Sequence, residues 1–179
     1  MGRFATRGFT LFEQLIVLAI TSVLVLTGMP SFSRLMARGR VQSAGSELAL
    51  SFAQARIRAV TDQSSYSLCA SRDGRTCARD TRWDEGWIIF TDPHESGVPA
   101  PGSIVDRVAH GSDGPLIRST AGRIILSFRR DGTSAGNNVT MLVCDPAQGV
   151  ARKIIVSNVG RARTEPMRDG DTACTSLHR

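Results

Sequence analysis

This sequence is poor in histidine and lacks the motifs of several common classes of enzyme. Its three histidines, His94, His110 and His178, fall in predicted loops or at the C-terminal end, and no Ser, Cys or Asp stands at a spacing typical of a nucleophile and its base. Walker-A, dinucleotide-binding and zinc motifs are also absent. The isolated Asp-Gly-Asp at 169–171 is typical of a turn rather than of a calcium loop. The sequence therefore predicts a protein that is not an enzyme and that holds neither a metal nor a cofactor.

Lysine is almost missing as well. Of the 22 Lys and Arg residues only Lys153 is a lysine, so the positive charge consists almost wholly of guanidinium groups. Arginine suits bidentate contacts to phosphate or carboxylate, although a genome rich in G and C would favour Arg codons by itself. Residues 62–113 carry nine acids and five Arg, a net charge of −4, whereas residues 117–163 carry eight basic residues and two acids, a net charge of +6. This asymmetry predicts a surface that faces a polyanion or a protein partner.

Only one apolar run is long. It covers Phe9–Met29, 21 residues, which as a helix would be about 31 Å long, close to the apolar thickness of a bilayer. The preceding residues 1–8 contain two Arg and no acid, so the positive-inside rule predicts a cytoplasmic start and an exported remainder. The run is not followed by the small-residue cleavage site of a conventional signal peptide. Its one charge, Glu13, costs about 2.5–3.5 kcal/mol inside a membrane, and it therefore predicts a compensating partner.

The order of these features resembles the class III leader of type IV pilins and pseudopilins. The small residue Gly8 stands before the apolar run, which begins Phe9-Thr10-Leu11-Phe12-Glu13. The resemblance implies cleavage between Gly8 and Phe9 by a prepilin peptidase, N-methylation of Phe9, and retention of the apolar helix as inner-membrane anchor and filament core. It also implies that Glu13 neutralises the N-terminal amine of a neighbouring subunit during assembly. The alternative is an ordinary single-pass anchor with a glutamate that reaches the membrane surface.

The residues that follow the apolar run predict a stem helix. Leu48, Phe52, Ala55 and Ala59 follow helical spacing and form a narrow apolar stripe that can pack on a sheet. The predicted organisation is a leader (1–8), a transmembrane and filament-core helix (9–29), an amphipathic stem helix (30–61) and a β-rich globular domain (62–179).

The globular domain consists of short β-rich segments separated by turn residues, a pattern typical of antiparallel sheet. With the stem helix, it predicts an α+β fold, and the resemblance implies the type IV pilin arrangement, in which the long N-terminal helix packs on the C-terminal sheet. Trp83 and Trp87 have rings that could stack on bases, but the strand around Trp87 favours a role in the core. The predicted strands are 66–71, 87–91, 104–108, 123–128, 139–144 and 152–157.

Four cysteines, Cys69, Cys77, Cys144 and Cys174, occur in this exported domain. They predict two disulfides rather than free buried thiols. Three pairings are possible. The turn at Asp73-Gly74 favours Cys69 with Cys77, which leaves Cys144 for Cys174.

A basic motif near the C-terminus, Gly160-Arg161-Ala162-Arg163, is flanked by Arg152, Lys153 and Arg168. In an extended segment Arg161 and Arg163 share one face about 6.6 Å apart, roughly twice the 3.4 Å axial distance per phosphate of a DNA strand. The motif therefore predicts that the two guanidinium groups bind two adjacent phosphates. Because nothing in it is suited to reading base edges, the predicted binding is independent of sequence.

This motif, together with the segment from Cys69 to Phe90, resembles the GspH/FimT branch of minor pilins. DNA-binding FimT-like members carry a Gly-Arg-x-Arg motif, so the resemblance implies a type IV pilus subunit that captures DNA for natural transformation. GspH-type subunits of type II secretion or of a pilus tip imply protein partners alone, and a plain single-pass membrane protein is the third alternative. The implied partners are other pilin or pseudopilin subunits, the prepilin peptidase, the inner membrane and DNA phosphates. The implied location is the inner membrane with a periplasmic C-terminal domain, and then the pilus or pseudopilus.

Overall fold

The computed structural model describes residues 9–111, 114–120, 122–134 and 138–167, and within helix α1 it leaves the side chains of residues 26–30 undescribed. The chain divides into two compact units, Met1–Met36 and Ala37–Arg179. One helix, α1, runs over Leu11–Thr61, and eight strands follow it. They are β1 (Tyr66–Ala70), β2 (Gly86–Thr91), β3 (Ile104–Ala109), β4 (Leu116–Ser119), β5 (Ile125–Phe128), β6 (Val139–Asp145), β7 (Val150–Val156) and β8 (Ala162–Pro166).

Helix α1 begins with a capped turn. Thr10 Oγ1 accepts a hydrogen bond from the Glu13 amide at 3.3 Å, and the Thr10 carbonyl accepts one from the Gln14 amide at 3.2 Å. Thr10 is therefore the N-cap, and Glu13 stands at the third helical position, the arrangement of a capping box. A carboxylate in the first turn also interacts favourably with the helix dipole.

The part of α1 that belongs to the second unit buries one apolar stripe. The predicted positions Leu48, Phe52, Ala55 and Ala59 are all at most 1 % exposed, which confirms the helical spacing. The stripe extends toward the start of this unit through Ala37, Val41 and Ala44. This half of the helix therefore packs along the core of the globular unit.

The strands form two antiparallel four-stranded sheets, with orders β3-β2-β1-β5 and β4-β6-β7-β8. The six predicted strands are confirmed with small shifts of their ends. Strands β4 and β8 were not predicted, because β4 (Leu-Ile-Arg-Ser) has only two apolar residues and β8 (Ala-Arg-Thr-Glu-Pro) has no apolar alternation. β8 is the edge strand of its sheet, where charged residues and proline are tolerated because one side of the backbone faces solvent.

A single large core cluster joins α1 to both sheets. Phe52 contributes from the helix, Trp87 from β2 and Met141 from β6, and all three are at most 1 % exposed. The predicted core role of the two tryptophans is confirmed, since Trp83 packs edge-on against Phe52 with ring centroids 6.4 Å apart. Because the core reaches both sheets, it fixes the hairpin of β7 and β8 relative to the second half of α1.

Candidate functional site

The predicted phosphate-binding motif lies at the hairpin that joins β7 to β8. The Ser157 amide donates to the Arg161 carbonyl at 3.0 Å, and the Gly160 amide donates to the Ser157 carbonyl at 2.7 Å. Gly160 has a φ of +75°, the left-handed conformation found at the third position of three-residue hairpin loops. The glycine of the motif therefore shapes the turn that presents Arg161.

Arg161 and Arg163 are both exposed at this edge of the sheet. Arg163 lies in β8, where its Nε donates to Glu165 Oε1 at 2.8 Å. Lys153 on β7 is the register partner of Glu165, so the alternation of strand side chains places Lys153, Arg163 and Glu165 on one face. The structure thus adds a carboxylate that the sequence analysis overlooked. The sequence contains a signal for this carboxylate, because Glu165 follows Arg163 by two residues, as Arg163 follows Arg161.

One of the predicted cations does not join this face. Arg152 neighbours Lys153 in β7 and therefore points to the opposite side of the sheet. Its Cδ lies 3.5 Å from the position that a Cβ on Gly45 of α1 would occupy, so it lies against the helix. The remaining cation, Arg168, lies outside the described residues.

A groove of about 310 Å³ separates the hairpin from helix α1. Its helix side is formed by Ala49, Ala53, Arg56 and Ile57, and its hairpin side by the segment Gly160-Arg161-Ala162. Along the same stretch of α1, Leu50, Ile57 and Val60 are 69 %, 65 % and 43 % exposed. The hairpin therefore presents Arg161 beside a partly apolar surface of the helix.

The turn between β5 and β6 lies against the β7–β8 hairpin. The amide and hydroxyl of Thr133 both donate to Asp131, and these bonds hold the pKa of the Asp131 carboxyl below its ordinary value. The Gly132 carbonyl, in the same turn, accepts a hydrogen bond from Arg56 Nε at 2.9 Å. This turn thus links α1 to the base of the hairpin.

Several arginines of the basic segment are paired within the domain. Arg118 forms an ion pair with Asp84, and Arg129 pairs with Glu95 through two hydrogen bonds of 3.0 and 3.1 Å, which raise the pKa of the Arg129 guanidinium. Both acids come from the acid-rich segment 62–113. Part of the charge asymmetry along the chain is therefore neutralised on folding.

Of the residues in the predicted leader and anchor, the structure describes those from Phe9 onward. Gly8 lies outside the described residues. From Phe9 to Val25 the large apolar side chains are exposed, with Phe9 at 76 % and Leu11 at 79 %. Among the described residues, no helix is at once long enough and apolar enough to cross a membrane. The amide of Glu13 is bonded to Thr10 as described above, a local role that the sequence analysis did not consider.

The first predicted disulfide is confirmed. Cys69 of β1 is bonded to Cys77, with Cα atoms 5.5 Å apart, and it ties the loop that follows β1 to the first sheet. The turn inside this loop is formed by Asp73, whose carboxylate accepts hydrogen bonds from the amides of Thr76 and Arg75, so its pKa lies well below the ordinary value. Cys144 is buried in β6, but Cys174 lies outside the described residues, so that pairing stays a prediction.

The part of the chain that the structure describes contains no group of three or more His, Cys, Asp or Glu side chains able to hold a metal ion.

A long N-terminal helix that packs its second half on antiparallel sheets defines the chain as a protein of the type IV pilin-like fold. The family model described as "Type II transport protein GspH" matches residues 44–160, about two thirds of the chain. The chain belongs to this family of minor pilin and pseudopilin subunits. The match ends at Gly160, so the two motif arginines lie just beyond it.

Solved structures support the fold independently. Two crystal forms of the type IV minor pilin FimU from Pseudomonas aeruginosa (strain PAO1) are similar to this chain at 22 % identity. One match covers 70 % of this chain and 92 % of FimU with a TM-score of 0.55, and the other covers 72 % and 90 % with a TM-score of 0.57. Among curated proteins, no significant match was found. These comparisons confirm the predicted fold and the predicted family.

Proposed function

We propose that this chain is a non-enzymatic minor pilin subunit that reaches the filament by way of the inner membrane. In this proposal, a prepilin peptidase cleaves after Gly8 and methylates Phe9, and the segment Phe9–Met29 then serves first as membrane anchor and later as filament core. The observation that supports it is the uninterrupted exposure of the apolar side chains from Phe9 to Val25. So much exposed apolar surface requires lipid or a neighbouring subunit to cover it. The proposal places the C-terminal domain in the periplasm and then on the pilus.

Mass spectrometry of the chain recovered from membranes tests this proposal. We expect a mass that corresponds to a chain beginning at Phe9 and carrying one additional methyl group. Gly8→Leu should block cleavage, because it removes the small residue that the leader places before the apolar run. A native chain that retains Met1, or one cut after Met29, would contradict the proposed processing.

Within the assembled subunit, we propose that the β7–β8 edge binds DNA through its phosphates and serves DNA uptake. Support comes from Arg161 and Arg163, both exposed, from Lys153 on the same face as Arg163, and from the turn that holds Arg161 just before the start of β8. Guanidinium groups on an exposed edge bind backbone phosphates without reading bases. Glu165 limits this site, since it already holds Arg163 and adds a negative charge.

The Glu165→Gln variant should therefore bind DNA more tightly than the wild type. Removal of the carboxylate ends its competition with phosphate for Arg163, which at about 50–100 mM salt should raise the affinity a few fold. Fluorescence anisotropy with a labelled duplex measures the change on the full chain in detergent. Glu85→Gln is the matched control, because Glu85 is also partly exposed and paired with arginine, but lies just before β2 of the other sheet. Equal affinity of the wild type and Glu165→Gln would exclude Arg163 from the site.

A second candidate function is that of a pseudopilin of type II secretion, or of a pilus-tip subunit, whose basic edge contacts only protein. It is favoured by the family match and by the exposed apolar side chains Leu50, Ile57 and Val60 beside the groove. Such a surface is typical of protein interfaces. The absence of DNA binding at low salt, together with cross-linking of Ile57→Cys to a neighbouring pilin, would favour this second function.

A further inference from the structure

The β7–β8 hairpin approaches the neighbouring turn so closely that only glycine fits at position 160. A Cβ on Gly160 would lie 2.0 Å from the Gly132 carbonyl oxygen and 3.0 Å from Arg56 Nε. Real Cβ atoms do not approach an oxygen within 3.0 Å. A side chain at position 160 would therefore point directly at the Gly132 carbonyl.

Three segments of the chain meet at this one carbonyl oxygen. Arg56 of α1 donates to it at 2.9 Å, Gly132 supplies it from the β5–β6 turn, and Gly160 of the hairpin packs on it. Two further hydrogen bonds join the turn to the hairpin, from the Ser134 amide to Asn158 O at 3.0 Å and from Ser134 Oγ to Ser157 O at 2.9 Å. Since Arg56 and Arg161 also line the same groove, any change at this contact moves the hairpin relative to the helix.

We propose that Arg56 and Gly160 are positioning residues, which set the place of Arg161 and Arg163 against α1 through the Gly132 carbonyl. This inference rests on the proposed DNA binding at the hairpin. The glycine of the Gly-Arg-x-Arg motif then has a second role besides its left-handed backbone, because it permits the close approach that Arg56 completes. Neither residue needs to touch the DNA for this role.

The charge-neutral variant Gly160→Ala tests the proposal. The methyl group cannot fit against Gly132, so the hairpin must move away, and the amides of Ser134 and Gly160 should exchange hydrogen about tenfold faster in the DNA-free protein. The affinity for duplex DNA should fall about tenfold, the size of a lost phosphate contact near 0.1 M salt, although the net charge is unchanged.

Gly149→Ala is the matched control. Gly149 also has a left-handed backbone, with φ of +63°, and lies in the β6–β7 loop, but a Cβ there would meet nothing within 4 Å. It therefore reports the cost of the backbone conformation alone. We expect exchange at Ser134 and Gly160, and DNA affinity, to stay close to those of the wild type. Identical behaviour of Gly160→Ala and Gly149→Ala would overturn the proposal.

Arg56→Met and Arg56→Lys provide a second test that does not depend on the folding of Gly160→Ala. Arg56→Met should speed the exchange of the Gly160 amide without DNA present, and Arg56→Lys, which retains a donor, should restore it in part. A residue that merely contacts phosphate would leave this exchange unchanged, and that result would also overturn the proposal. If the wild type binds no DNA, the proposed function fails, whereas the exchange measurements still decide whether Arg56 and Gly160 hold the hairpin.

Discussion

Replacement of both motif arginines, Arg161→Ala with Arg163→Ala, is expected to remove most DNA binding. Each lost phosphate contact should reduce the affinity about tenfold near 0.1 M salt and make the slope of log K against log salt shallower by about 0.9. The double variant should therefore bind about a hundredfold more weakly, with a slope shallower by about 1.8. Both side chains are exposed, so the fold should be retained. Anisotropy titrations at several salt concentrations measure both quantities.

The control for this variant is Arg75→Ala with Arg79→Ala. It removes the same charge from two exposed arginines in the loop after β1, which belongs to the other sheet. We expect only a small change of affinity from the lower net charge. If both double variants lost equal affinity, binding would depend on overall charge, and the β7–β8 edge would have no special part in it.

The largest expected loss of stability comes from Phe52→Ala. Phe52 is 1 % exposed and packs in the core between α1 and the sheets, with Trp83 edge-on against its ring. Truncation of such a side chain costs about 3–5 kcal/mol, a large share of the roughly 5–15 kcal/mol by which domains are stable. Denaturant unfolding of the disulfide-intact chain, followed by the fluorescence of the two buried tryptophans, measures the loss.

Leu50→Ala on the same helix is the matched control. Leu50 is 69 % exposed, so its truncation in the isolated chain should change the free energy of unfolding by about 0.5 kcal/mol or less. An equal shift of both variants would mean that the two faces of α1 are alike in burial, contrary to the packing described here.

The elements that the sequence predicts well are those with a local physical cause. The stripe of Leu48, Phe52, Ala55 and Ala59 follows from helical spacing alone. The bond between Cys69 and Cys77 follows from a turn between two nearby cysteines in a chain that is predicted to be exported. The fold class follows from one long helical pattern that precedes six apolar strands. In each case the determining residues are close together in the sequence.

The elements that the sequence did not predict depend on distant partners. β8 has no apolar alternation and exists because β7 offers it a ladder of hydrogen bonds. Arg118 and Arg129 count as surface cations in the sequence, but folding supplies Asp84 and Glu95 as their partners. The contact of Arg56 with Gly132 joins residues 76 positions apart, a separation over which no local pattern carries information. Glu165 differs from these, since it lies only two residues from Arg163 and its pairing is local.

The most direct test of the account is a titration of the wild-type chain with a labelled duplex across a salt series, with its disulfides intact. If the β7–β8 edge binds DNA, the affinity should fall with salt along a slope of about −0.9 for each phosphate that the edge contacts, and several contacts are expected. Binding should be alike for duplexes of unrelated sequence. The absence of binding at about 50 mM salt, where phosphate contacts are strong, would contradict the proposed DNA binding. It would favour another pilin subunit as the partner of the β7–β8 edge.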